Sequence, residues 1–155
     1  MHKSKWSNRI VLPLLLLLLT AFTTQPTKTI SWSALQEVDF EKKWVPEMNL
    51  HMLFPKFPPT LEKLNGTEVQ VEGYVVPIDR NNKFIALSAN PFAACFFCGK
   101  AGPASVMTIY FKTPGKAYKT DQYKTFSGKL KLNRSDYKQF YYILENAVEV
   151  TNSGH

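Results

Sequence analysis

TEVQVEGYVVPI, residues 67–78, alternates over its first seven positions: Val69, Val71 and Gly73 face one way, Glu68, Gln70 and Glu72 the other. A period of two with valines on one side is the pattern of a strand half buried against a core. Gly73 marks a bulge or sharp bend. Tyr74, Val75 and Val76 then run on until Pro77, which lacks the N–H that a ladder needs, ends the strand.

Toward the C-terminus the pattern repeats. Asp79-Arg80-Asn81-Asn82 is turn chemistry, and Lys83 to Ala89 reads as a second strand completing a hairpin. Ser105 to Lys112 is a third strand, apolar on both faces at Val106, Met107, Ile109 and Phe111. Thr125 to Leu132 alternates again, with Phe126, Gly128, Leu130 and Leu132 in one phase and Lys129 and Lys131 in the other. Asn133-Arg134-Ser135-Asp136 is a cap-like cluster that predicts a turn of helix holding Tyr137, Phe140 and Tyr141. Tyr142 to Val150 is the last strand, interrupted near Glu145-Asn146. The pattern predicts a mainly β domain, a small five-stranded, partly open barrel of the oligonucleotide/oligosaccharide-binding (OB) kind, with short helices on its N-terminal side and before the last strand. A plain antiparallel sheet or sandwich is the alternative, and no internal period suggests a repeat.

Toward the N-terminus, Thr60 to Leu64 reads as one helical turn stopped by Asn65-Gly66. Pro46, Pro55, Pro58 and Pro59 crowd the preceding segment, which is expected to wrap the domain as irregular chain anchored by Met52, Leu53, Phe54 and Phe57. Ser31 is a candidate N-cap for a short helix that packs Trp32 and Leu35 onto the body, with Phe40 and Trp44 continuing the apolar contacts.

The first 29 residues read differently. Met1 to Arg9 carries Lys3, Lys5 and Arg9 without an acid, and Ile10 to Phe22 has no charge. This is the layout of a secretory signal, residues 1–23; an uncleaved anchor is the alternative, because Ala21-Phe22-Thr23 is a poor cleavage site. Residues 24–29 read as a polar linker, 30–151 as a single domain and 152–155 as a tail. The chain is thus expected outside the cytoplasm, periplasmic or secreted. Without the three N-terminal basic residues the formal charge of +7 falls to +4, too modest to indicate nucleic-acid binding in an exported protein.

The chemistry concentrates in PFAACFFCGKAGP, Pro91 to Pro103, which holds Cys95 and Cys98, the chain's two cysteines. Spacing of this kind supports three readings. In the first, the thiolates bind a soft metal, with His51 as the internal histidine left to serve as third ligand; copper(I) suits two thiolates by ligand count, and zinc would want more donors. In the second, the pair is an oxidised disulfide staple, as an oxidising compartment allows. In the third, the pair is redox-catalytic, but the thioredoxin arrangement needs a helix N-terminus after a βαβ strand, and these flanks are prolines and glycines in a β setting. Phe92, Phe96 and Phe97 either cap the barrel mouth or form a partner-binding patch, with Lys100 favouring a thiolate or an anionic partner. There is no Gly-rich phosphate loop, HExxH or GxSxG, so no enzyme class is indicated.

Leu64-x-Gly66-x-x-Val69-x-Val71-x-Gly73-Tyr74-x-x-Pro77, the cysteine loop after the second strand and Trp32 to Leu35 upstream resemble a family of exported bacterial proteins known as a domain of unknown function. The resemblance covers residues 30–150 and implies an extracytoplasmic small barrel, with no established activity and an association with metal uptake or export machinery. The better-populated branches of that family carry one Cys, a His two residues on and then a proline run. Cys95 carries over, whereas Phe97 stands in place of the His and Cys98 follows it. The expected role is an exported binding module that passes zinc or copper to a membrane transporter or envelope partner, or else an interaction protein with a stapled loop.

Overall fold

The computed structural model describes residues 27–92, 102–114 and 116–151. The expected signal or anchor segment (residues 1–23), the expected tail (152–155), and Cys95, Phe96, Phe97, Cys98 and Lys100 lie outside the described residues. Within them the chain forms strands β1 (Lys28–Thr29), β2 (Asp39–Val45), β3 (Leu50–Lys56), β4 (Glu68–Val76), β5 (Phe84–Ser88), β6 (Val106–Phe111), β7 (Tyr123–Leu132) and β8 (Tyr142–Glu149). Two single-turn helices, α1 (Trp32–Leu35) and α2 (Pro59–Glu62), lie on the N-terminal side.

Strands β4, β5, β6, β8 and β7 pair in that order, and β7 returns to β4, so the five strands close into a barrel. All pairs are antiparallel except β6 with β8. The predicted β class and the five barrel strands hold, with the ring closed rather than partly open and three further strands outside it. Closure depends on β4 serving two partners: Glu68 to Tyr74 face β7, while Tyr74 to Val76 face β5. Gly73 sits at this changeover, where a Cβ would lie 2.6 Å from the Ser88 carbonyl oxygen and 3.2 Å from Trp32 Nε1. Its hydrogen side chain lets β4 cross close to β5. Trp32 Nε1 donates to the Glu72 carbonyl at 2.7 Å beside it.

The alternation read in residues 67–78 is realised. Val69, Val71 and Val75 are fully buried with Leu87, Met107, Ile109, Phe126, Leu130 and Leu144, and Leu35 of α1 and Leu61 of α2 join the same cluster. A smaller cluster of Val76, Ala86 and Val106 uses the neighbouring phase of β4, β5 and β6 and is covered by Phe140, which explains why β6 is apolar on both faces. Asn146 has φ 53° where the β6–β8 and β7–β8 registers shift, so the expected interruption of the last strand is a bulge.

Three local expectations are corrected. The proline-rich segment is not irregular throughout, because β3 runs through Pro55 and pairs antiparallel with β2, Phe40 facing Pro55. Proline is tolerated because each strand of a two-stranded sheet keeps one free edge, where a missing N–H costs no ladder bond. The linker is not all tether: Lys28 and Thr29 pair parallel with Val69 and Gln70, and the Ile30 N–H donates to the Gln70 carbonyl at 2.8 Å. They cover the edge of β4 that β5 leaves open. The segment before β8 is a turn instead of a helix, since Asn133 binds its polar groups directly. Asn133 Nδ2 donates to the carbonyls of Asp136 at 2.7 Å and Phe140 at 3.1 Å, while its Oδ1 accepts from the Asp136 N–H at 3.0 Å. A side chain that satisfies backbone groups in this way competes with a helix for them.

Candidate functional site

The cysteine loop is rooted on the barrel end formed by β5 and β6. Ser88 ends β5 fully buried, and the next N–H, that of Ala89, donates to the Ser105 carbonyl at 2.9 Å, which pinches the excursion at its base. On the return side the Ser105 N–H and hydroxyl both donate to the Gly102 carbonyl, at 3.0 and 2.7 Å. On the outgoing side the Phe92 N–H donates to the Asp121 carboxylate at 2.7 Å. Asp121 holds φ 64°, and its own N–H donates to the Val75 carbonyl at 2.9 Å. Aspartate tolerates this left-handed conformation better than most residues. Both ends of the loop therefore leave from fixed points on the rim.

Next to the return side lies a mostly apolar cleft of about 190 Å³. Pro103 and Val106 form one wall, Met52 to Pro55 of β3 another, and the Asn133–Tyr141 turn the rest. The walls are tied together where Tyr141 Oη donates to the Leu53 carbonyl at 2.7 Å, and Phe40 packs on the Tyr141 ring at 5.4 Å. Burial pushes the Tyr141 phenol above its ordinary pKa, so it stays a donor. Two polar side chains of the cleft wall have partners: Arg134 pairs with Glu62 of α2, and Gln139 Nε2 donates to Asp136 at 3.2 Å. Such a surface recognises shape and apolar groups more than charge.

Of the predicted site residues, His51 and Phe92 are described. His51 is exposed on β3, next to Met52 in the cleft wall, with its ring edge-on to Trp44 at 5.1 Å. The strand that carries it thus borders the same cleft as Pro103, where the cysteine loop rejoins the barrel. Phe92 is 37% exposed and sits at the outgoing root. No group of three His, Cys, Asp or Glu able to hold a metal occurs among the described residues. The described part of the chain therefore offers a soft metal one imidazole, and any thiolates would come from the loop.

Sequence reading misses the cleft and the role of Asn133 as its scaffold, although the Asn133-Arg134-Ser135-Asp136 run reads as capping chemistry. It also misses Glu149, which binds Lys124 at 2.9 Å together with Lys116 and accepts from Tyr118 Oη at 3.1 Å. Burial alone would raise the Glu149 pKa, but the hydrogen bonds from Lys116, Lys124 and Tyr118 outweigh it and bring it down from 4.5 to about 2. This knot ties the loop before β7 to the end of β8. A lone glutamate near the C-terminus gives no sign of three partners 25 or more residues away.

No protein family's sequence profile matches the chain, and no curated protein matches it. Among solved structures it is similar to a DUF3299 family protein from Pseudomonas aeruginosa, with 11% identity and a TM-score of 0.51, over 84% of this chain and 100% of that one. At this identity the likeness shows the fold alone, and the function of that protein's family is unknown.

Proposed function

We propose that the chain is an exported, non-enzymatic binding module in which Cys95 and Cys98, with His51 as a third donor, hold a copper(I) or zinc ion for an envelope or membrane transporter partner. The observation that carries this reading is that β3, which bears the exposed His51, and Pro103, where the cysteine loop rejoins the barrel, border one cleft. Two thiolates and an imidazole form a donor set that soft or borderline metals accept, copper(I) most readily at low ligand number. In this reading the barrel holds the loop ends still and β3 supplies the imidazole.

The test is metal content and free-thiol count on protein purified without chelator. One equivalent of copper or zinc that is lost in Cys95→Ser and weakened in His51→Ala supports the module. A second reading, a disulfide-stapled interaction protein whose loop phenylalanines contact a partner, is favoured by the 37% exposure of Phe92 at the outgoing root of the loop. It predicts no bound metal and no free thiol. A reducible pair with a strongly lowered thiol pKa would overturn both in favour of a thiol-disulfide enzyme.

A further inference from the structure

The β2–β3 hairpin carries apolar surface that the barrel does not cover. Trp44 is 49% exposed, Met48 49%, Leu50 41% and Leu53 45%. Trp44 and Leu53 share one face of the hairpin by register, while Met48 and Leu50 form the turn, where Asn49 takes φ 51°. The base of the hairpin is fixed, by Phe40 against Tyr141 and by the Tyr141–Leu53 hydrogen bond. Its far end is where the apolar groups gather.

We infer that this end is a membrane-contacting tip that dips Trp44, Met48 and Leu50 into the headgroup–acyl boundary of a bilayer. Three observations choose lipid over other occupants. The first is area: four half-exposed side chains offer well under the ~800 Å² per partner that a stable protein interface buries, whereas an interfacial anchor has no such threshold. The second is charge. Glu41 pairs with Lys43 at 3.1 Å and Glu47 offsets Lys42, so the hairpin has no basic excess and suits a zwitterionic surface. Tryptophan is also the side chain most at home at that boundary. The third is reach. Thr23 to Thr27, five residues, separate the uncharged Ile10–Phe22 run from β1, and so short a segment spans at most about 18 Å. A retained run would hold the barrel at the bilayer surface.

This inference rests on the reading of an exported chain, and the two are tested separately. Mass spectrometry of the protein from the cell envelope, against the soluble fraction, shows whether the chain is exported and whether residues 1–23 remain. The tip is tested on phosphatidylcholine vesicles with brominated acyl chains, using Trp6→Phe so that Trp44 reports; Trp32 is the remaining tryptophan, with its N–H bonded to Glu72. Trp44 emission should fall at least twofold and shift to the blue, and Trp44→Phe should abolish that quenching. Met48→Ser with Leu50→Ser should reduce the quenching at least fivefold while leaving the thermal midpoint unchanged. Unquenched Trp44 emission on protein that nevertheless sediments with vesicles would overturn the inference. So would concentration-dependent dimerisation abolished by Trp44→Ser, which would assign the tip to a second copy.

Discussion

Gly73→Ala tests the account of how the barrel closes. The new Cβ would stand 2.6 Å from the Ser88 carbonyl oxygen, and reaching the 3.4 Å of ordinary contact requires β4 and β5 to part by most of an ångström. These strands pair through three positions, Tyr74–Ser88, Val75–Leu87 and Val76–Ala86, so little ladder is available to absorb the shift. Leu87 Cγ at 3.1 Å and Trp32 Nε1 at 3.2 Å close off the other directions. Overpacking of this kind costs about 1–3 kcal/mol. Displacing Trp32 from the Glu72 carbonyl adds about 1 kcal/mol, for a total of about 2–4 kcal/mol. The assay is urea unfolding followed by tryptophan fluorescence. With a slope of about 1.5 kcal/mol/M, the midpoint falls by roughly 1.3–2.7 M without a change of slope. Gly102→Ala is the control, because a Cβ there meets nothing within 4 Å, and its midpoint should not move. A Gly73→Ala shift below about 0.3 M, or an equal shift in the control, would refute the close approach as the reason for glycine.

Three further outcomes follow from other parts of the molecule. The folded-state pKa of Glu149 is depressed, so its stabilisation is complete above pH 4.5 and is lost as pH falls toward about 2. At about 1.4 kcal/mol per pH unit that is about 3 kcal/mol, which solvent screening reduces to about 1–2 kcal/mol. Glu149→Gln should lose this at pH 7 and show a flatter stability profile between those two pH values, read from chemical melts at stepped pH. Asn133→Ala removes three donor and two acceptor contacts from the turn lining the cleft and should cost about 2–4 kcal/mol. Hydrogen exchange in residues 134–141 should speed up in that variant while β4 stays protected. Tyr142→Phe leaves the Leu35 carbonyl in the core without the tyrosine hydroxyl that now binds it, for a loss of about 1–2 kcal/mol by thermal melt.

The sequence made the barrel strands legible because each carries its own signature. Residues 67–78 and 125–132 alternate with period two, Asp79–Asn82 turns the chain, and Asn146 breaks the last strand. Such signals are local, so they survive without knowledge of the partner strand. The β2–β3 hairpin was not legible. Four prolines argued against it, and what admits Pro55 is the free edge of a two-stranded sheet, a property of the neighbours and not of the residue. β1 was hidden for a similar reason: nothing in Lys28-Thr29 requires a strand, and it forms because β4 leaves an edge open beside it.

The candidate site divides in the same way. The cysteine pair, the single internal histidine and the phenylalanines could be picked out by residue type and spacing alone. That His51 lies on a strand bordering the cleft beside Pro103, and that Asn133 and Tyr141 build that cleft, depends on contacts between segments 50 to 90 residues apart. Residue type and short-range order determined the class of fold and the stock of reactive groups, because these depend on periodicity and side-chain chemistry. Tertiary structure decided which groups become neighbours, because closing a ring of strands sets distances that no stretch of sequence contains.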